Sequence, residues 1–306
     1  DGSGPVRVLA VEGLGRSETG RKSKKLRGAI DDQAGLVKAR VVKALGRSGD
    51  PSVLPIIEAA AKDELSPVRI AAYVALIRLG KKEAWDELRK VADAANPDDR
   101  TDALRAIADL KDQRGASLMM ELLTYTQPSV RGTAARGLGQ LGQKEAREKI
   151  ELLLKDPIPA VRESAVSSLA ELGTVESVPA IKVLLGDGQV TVRAAAVAAL
   201  LQLGQSFELV ADTARALAQQ SDTAARASIA FALGKATKPN AKAAIAFLSG
   251  ITADTLPGPK IVALRSLGHI GDREVIPLMI EGMHDANEAV RATAAGGLLH
   301  LLQSKP

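Results

Sequence analysis

The string Val-Arg-x-x-Ala-x-x-x-Leu-Gly at Val6–Gly15 returns at a nearly fixed interval. That periodicity restricts the fold to a stack of like units, each too small to enclose a core alone. Steps of 31 residues land on Val37, Val68, Asp99, Val130, Val161 and Val192. The register slips by two residues to Ala225 and by three to Pro259, then recovers at Val290, giving ten slots.

Each slot is followed by a basic residue: Arg7, Lys38, Arg69, Arg100, Arg131, Arg162, Arg193, Arg226, Lys260 and Arg291. Four residues past the slot stands Ala, Val or Ile, and eight past it Leu or Ile, as at Ala165 and Leu169. These spacings keep to one helix face and predict the buried stripe of a first helix. The ten first helices are expected near 5–16, 36–47, 67–79, 98–110, 129–141, 160–172, 191–203, 224–235, 259–270 and 289–302. Gly49, Gly80, Gly142, Gly173, Gly204 and Gly271 share the slot twelve residues in, where a left-handed residue ends a helix. A second helix follows, with Pro55, Pro179 and Pro277 in its first turn and a buried face of Ile57, Ile150, Leu153, Ile181 and Leu184. Aromatics are only 2% of the chain, which suits closely approaching Ala- and Leu-rich helices better than a compact core. The expected fold is all-α: one α-solenoid over residues 1–306, about ten antiparallel helix pairs, elongated and curved, with the second helices lining its inner face.

Asp recurs five residues before the slot, at Asp1, Asp32, Asp63, Asp156, Asp187, Asp254 and Asp285. Such a residue can cap the following helix. It can also pair with the basic residue of its own or a neighbouring repeat. The resulting structural ladder comprises Asp32, Lys38, Asp63, Arg69, Arg131, Asp156, Arg162, Asp187, Arg193, Arg226, Asp285 and Arg291. Slot four is irregular, with Asp99 for Val, Ala94 for the upstream Asp and Lys111 for the terminal Gly. The later insertions include Thr255-Leu256-Pro257-Gly258-Pro259. The sequence begins at Asp1 rather than Met, as expected of a processed or trimmed chain.

The stretch Asp156–Gly173 reads D-P-x-x-x-V-R-x-x-A-x-x-x-L-x-x-L-G. It resembles the short HEAT-like repeats of the phycobilin-lyase type, and the resemblance extends over essentially the whole chain. It implies helix-pair architecture but no single function, since such repeats occur in chromophore lyases, metal-dependent hydroxylases, DNA-repair proteins and scaffolds. A tetratricopeptide array needs a 34-residue period and its own Trp, Tyr and Pro pattern, neither of which is found.

Net charge is +5, and residues 1–50 hold all of that excess, with 11 Lys+Arg against 6 Asp+Glu. The slot ten residues in is polar throughout: Arg16, Arg47, Arg78, Asp109, Gln140, Glu171, Gln202, Lys235, His269 and His300. A row polar in every repeat predicts an exposed ridge. Its first three members are arginine, and beside them runs a basic segment with Arg21, Lys22, Lys24, Lys25 and Arg27. These eight residues are the candidate partner-binding patch, suited to an anionic surface. The plainer alternative is a solvated face.

His269 and His300 are weak metal-ligand candidates, and no carboxylate at helical spacing completes a set. Gly137–Gly142 spells G-x-G-x-x-G, but it would end a helix instead of opening one after a strand. Cysteine is absent, which removes disulfides and thiolate chemistry. No apolar run is long enough to span a membrane. No catalytic set and no cofactor motif emerges. The sequence therefore points to a non-enzymatic scaffold with a protein partner of acidic character. Two alternatives remain: a phycobilin-lyase-like subunit, and a DNA-binding protein using the basic N-terminal repeats, the latter disfavoured by the scarcity of aromatics for base stacking.

Overall fold

The structure, a computed structural model, describes residues 3–303, which contain helices and turns and no strand. Asp1 lies outside the described residues. The first helices are α1 (Gly4–Arg16), α2 (Gly35–Gly46), α3 (Ser66–Arg78), α4 (Pro97–Leu110), α5 (Pro128–Gln140), α6 (Pro159–Leu172), α7 (Val190–Gln202), α8 (Thr223–Leu233), α9 (Pro257–Ile270) and α10 (Glu288–Gln303). Pro67, Pro97, Pro128, Pro159 and Pro257 stand in the opening positions of their helices, where a missing N–H costs nothing. The six glycines twelve residues past the slot all take positive φ. Gly173, with φ 67°, closes α6 by donating its N–H to the Ala170 carbonyl. In repeat four Lys111 fills this position with φ 55°, a conformation that costs a residue with a Cβ about 1 kcal/mol.

The second helices of repeats two to nine are Leu54–Ala60, Ala84–Ala92, Ala116–Leu122, Arg147–Leu152, Val178–Val183, Phe207–Ala218, Ala241–Thr252 and Ile276–Gly282. Pro55, Pro179 and Pro277 fall in their opening turns. The extra residues of repeat eight lengthen its second helix, which follows directly on the turn Lys238–Asn240. The basic segment of repeat one forms two short helices, Glu18–Arg21 and Lys24–Gly28, anchored by the fully buried Leu26.

The chain forms two compact units that meet in sequence after Leu141. In the first, successive first helices α1 to α5 pack directly on one another, and Val41, Ala72, Ala103, Ala134, Leu45, Leu76, Ile107 and Leu138 are buried. In the second, α6 to α10 repeat the arrangement over Ala165, Ala196, Ile229, Ala263, Leu169, Leu200, Leu233 and Leu267. The stripe fails only in the outermost repeats, where Ala10 is exposed and Leu14 and Leu298 are half-buried.

One expectation is overturned. In the first unit the first helices, not the second, form the inner layer. Lys43 on α2 reaches across α3 to Asp109 on α4, with Nζ 3.9 Å from Oδ2. Small residues explain the geometry. A Cβ on Gly15 would stand 2.9 Å from that of Ala44, and one on Gly46 would overlap Ala75. Helices that meet through Gly and Ala approach closely, and the closely spaced layer takes the inside of a bend.

Candidate partner-binding surface

The basic residue one past each slot lies between repeats. Arg7 pairs with Asp32 (Nε–Oδ2 2.6 Å, Nη2–Oδ1 3.0 Å) and Lys38 with Asp63 (3.1 Å). Arg162 pairs with Asp187 (2.8 and 2.9 Å), Arg226 with Asp254 (2.6 and 3.1 Å) and Lys260 with Asp285 (2.7 Å). In each case the carboxylate belongs to the following repeat. The arginines also donate backwards to backbone carbonyls that close the preceding helix: Arg69 to Asp63 O (2.8 Å), Arg131 to Tyr125 O (2.7 Å), Arg193 to Asp187 O (2.7 Å) and Arg291 to Asp285 O (3.0 Å). The bonds are charge-assisted throughout, and those of Arg7, Arg162 and Arg226 to the carboxylates are bidentate, the strong class. The hydrogen bond from Arg162 holds the Asp187 carboxyl below the usual range, and that from Arg226 does the same for Asp254.

The recurrent Asp does not cap the next helix. Its Oδ1 instead accepts the backbone N–H two residues on, as Asp156 does from Ile158 (2.9 Å) and Asp187 from Gln189 (2.8 Å). The N-cap itself lies at that second residue, Ile158 or Gln189, so the Asp stands one step too early and forms an Asx turn. Side-chain caps come from the residue two positions further on: Asn96 accepts from Asp98 N, Asp222 from Ala224 N, and Asn287, beside the slot Asp285, from Ala289 N. Repeat five carries Tyr125 at the Asp position. The buried Arg100 stacks over its ring, 4.5 Å from the centroid, so a cation–π contact replaces the ion pair.

The polar slot ten residues in is exposed in all ten repeats. In the first unit it begins with Arg16, Arg47 and Arg78, whose side chains have no ion-pair or hydrogen-bond partner among the described residues. On α2 the same face carries Lys43 and Arg40, four and seven residues before Arg47. Burial first, then the like charges of Arg47, Arg40 and Arg78, hold Lys43 below the usual lysine range against the pull of Asp109. Arg78 is likewise lowered by burial and then by Arg47. Arg40 faces Glu12 at 3.2 Å. Lys43 and Arg40 escaped the sequence reading, although their spacing of four and seven from Arg47 marks one helix face.

The adjoining basic segment is largely committed. Arg21 donates to the Gly15 carbonyl (3.1 Å), Lys22 to Glu18 (2.7 Å) and Arg27 to Asp50 (2.6 Å). Lys24 and Lys25 remain exposed and unpaired among the described residues. Of the eight candidates, the structure thus leaves the three ridge arginines and these two lysines available to a partner.

Two grooves also lie along the ridge, one in each unit. Arg105, Asp109, Arg136 and Gln140 line the first; Gln202, Lys235, Lys238 and His269 line the second. His269 and His300 are exposed, and no group of three or more metal-binding side chains forms among the described residues. Gly137 and Gly139 lie inside α5, with Gly137 packed against Met119, so the glycine string is helix rather than phosphate loop. Among the described residues no helix is long and apolar enough to cross a membrane.

Stacked helix pairs tied by a repeating ion-pair ladder define an α-solenoid repeat protein. HEAT repeats match residues 1–77, 23–108, 85–157 and 148–234, and a PBS lyase HEAT-like repeat matches residues 260–285. The chain belongs to the HEAT-repeat family. No curated protein sequence matches it. Among solved structures, the complex of CpcE and CpcF of phycocyanin lyase from Nostoc sp. is similar over 81% of this chain and 94% of that one, at 19% identity and a TM-score of 0.52. Human deoxyhypusine hydroxylase in complex with glycerol aligns over 98% of each chain at 17% identity and a TM-score of 0.37. At 19% identity the likeness to the lyase complex is one of fold alone.

Proposed function

We propose that this chain is a non-catalytic scaffold whose repeats act as one solenoid and bind a protein partner on the first-helix face. The supporting observation is the contrast between its two sets of cations. The ladder residues are spent on the frame, whereas Arg16, Arg47 and Arg78 stand exposed and unpaired on a ridge that is polar in every repeat. A row of unmatched positive charge suits an acidic partner surface. Base-stacking aromatics are scarce, and Tyr125 and the buried Trp85 are already covered by Arg100 and Arg114, the latter 4.3 Å from its ring centroid. That disfavours nucleic acid.

The test is affinity capture with the immobilised full chain, followed by stoichiometry of the retained protein by mass spectrometry and sedimentation. A one-to-one protein complex, weakened by salt, is the expected result. Absence of any stoichiometric protein partner would sink the scaffold reading.

A further inference from the structure

The inference rests on the scaffold reading and narrows it to one surface and one ligand chemistry. Close packing at Gly15 against Ala44 and at Gly46 against Ala75 draws α1, α2 and α3 together beside the ridge. Arg16 and Arg47 directly follow those glycines, and Arg78 ends α3. The three arginines therefore stand at equivalent places on adjacent helices, whose axes pack ~8–10 Å apart. Lys43 lies beside the row, and its one acidic neighbour, Asp109, is 3.9 Å away on α4. Like charges gathered on one face repel, and among the described residues no side-chain hydrogen bond or ion pair uses the ridge arginines.

We propose that Arg16, Arg47 and Arg78, with Lys43 beside them, form a docking site for an acidic protein segment in polyproline-II conformation that crosses α1, α2 and α3 and presents one carboxylate to each arginine. A polyproline-II chain has three residues per turn and rises ~3.1 Å per residue, so every third side chain shares a face ~9 Å apart. That matches the helix spacing, whereas a β-strand turns its third residue to the opposite face. Each guanidinium fork accepts a carboxylate in bidentate fashion. Asp109 closes the row toward α4, where a continuing polyanion would meet its charge.

Fluorescence anisotropy with the full chain tests this. The probes are a labelled peptide of four Glu-Pro-Pro units, its Gln-Pro-Pro counterpart, a peptide of the same composition with the four glutamates adjacent, and a single-stranded oligonucleotide. The spaced acidic peptide should bind, and salt should weaken it. The double variant Arg47→Ala/Arg78→Ala should lose at least about tenfold in affinity. Asp109→Ala should bind more tightly, because it removes the competing carboxylate. Lys149→Ala/Lys182→Ala, which removes two exposed charges from second helices of the other unit, should bind as the parent does. Circular dichroism confirms that each variant is folded.

Equal binding of the neutral or the clustered peptide would overturn the inference, as would no binding of the spaced peptide or full affinity in the ridge variant. An oligonucleotide that binds more tightly and is released by the same variant would assign the row to nucleic acid and overturn it as well. In the first three outcomes the scaffold reading survives if affinity capture still yields a stoichiometric protein partner.

Discussion

The first-helix faces of the two units are built on the same frame and carry different surfaces. Both units place a basic residue one past the slot and bind it to the next repeat, as Arg7 to Asp32 in the first and Arg162 to Asp187 in the second. Ten residues past the slot they diverge. The first unit runs from Arg16, Arg47 and Arg78 to Asp109 and Gln140; the second carries Glu171, Gln202, Lys235, His269 and His300. Beside that second row the face is small or apolar, with Ala195 and Ala198 half-buried and Phe231 59% exposed under the Lys235 ammonium, 5.4 Å from the ring centroid. Charge that recurs in both units belongs to the frame. Charge confined to one unit is free to serve recognition.

The largest effect is expected where frame charge is reversed. In the Arg162–Asp187 pair only 15% and 8% of the side-chain surfaces remain exposed. Arg162→Glu removes two interrepeat hydrogen bonds, frees the carbonyls of Asp156 and Pro157, and sets two carboxylates face to face. A loss of about 3 kcal/mol is expected in denaturant unfolding, toward the lower end for a buried pair because some water remains. An unchanged unfolding midpoint would mean that the ladder does not bind the repeats together.

Acid should weaken both units for the same reason. Asp32, Asp187, Asp254 and Asp285 are lowered chiefly by hydrogen bonds from their basic partners, and Asp63 first by the Leu65 N–H and then by Lys38. A carboxyl whose folded pKa is depressed contributes stability that is complete above its unfolded value, ~4. That contribution fades as the pH falls from there through the folded pKa. The melting temperature should therefore hold steady from neutrality to about pH 5 and drop below pH 4. A protein equally stable at pH 3 would remove the ladder from the account of either unit.

Much of this frame could be read from residues, and the limits are instructive. The glycine slot announced a left-handed residue, and Gly173 adopts one because the position is fixed by its own helix. Lys111 shows that backbone geometry, rather than residue type, defines the slot. The ladder partners could be suspected but not assigned. Arg162 and Asp187 are 25 residues apart, and their meeting depends on the offset between stacked repeats, which local pattern does not encode. The same holds for the inner layer, revealed only by the reach of Lys43 to Asp109 across a whole repeat. Arg21 and Arg27 looked available because their acceptors, a carbonyl on α1 and Asp50 beyond α2, are brought near only by packing.

The smallest stability effect should fall on the ridge, and it sharpens the comparison most. The side chains of Arg47 and Arg78 have no hydrogen-bond or ion-pair partner among the described residues, and the charge of Arg47 adds to the electrostatic cost of Arg78, only partly offset by Asp109. Removing both should leave the melting temperature unchanged or slightly raised, within about 0.5 kcal/mol, as for exposed residues outside any network. Frame and ridge charges then separate by measurement: Arg162→Glu unfolds the repeats without choosing among partners, while Arg47→Ala/Arg78→Ala leaves the repeats intact and weakens binding. A ridge variant that melted several degrees lower would place those arginines within the frame and erase the distinction between the two units.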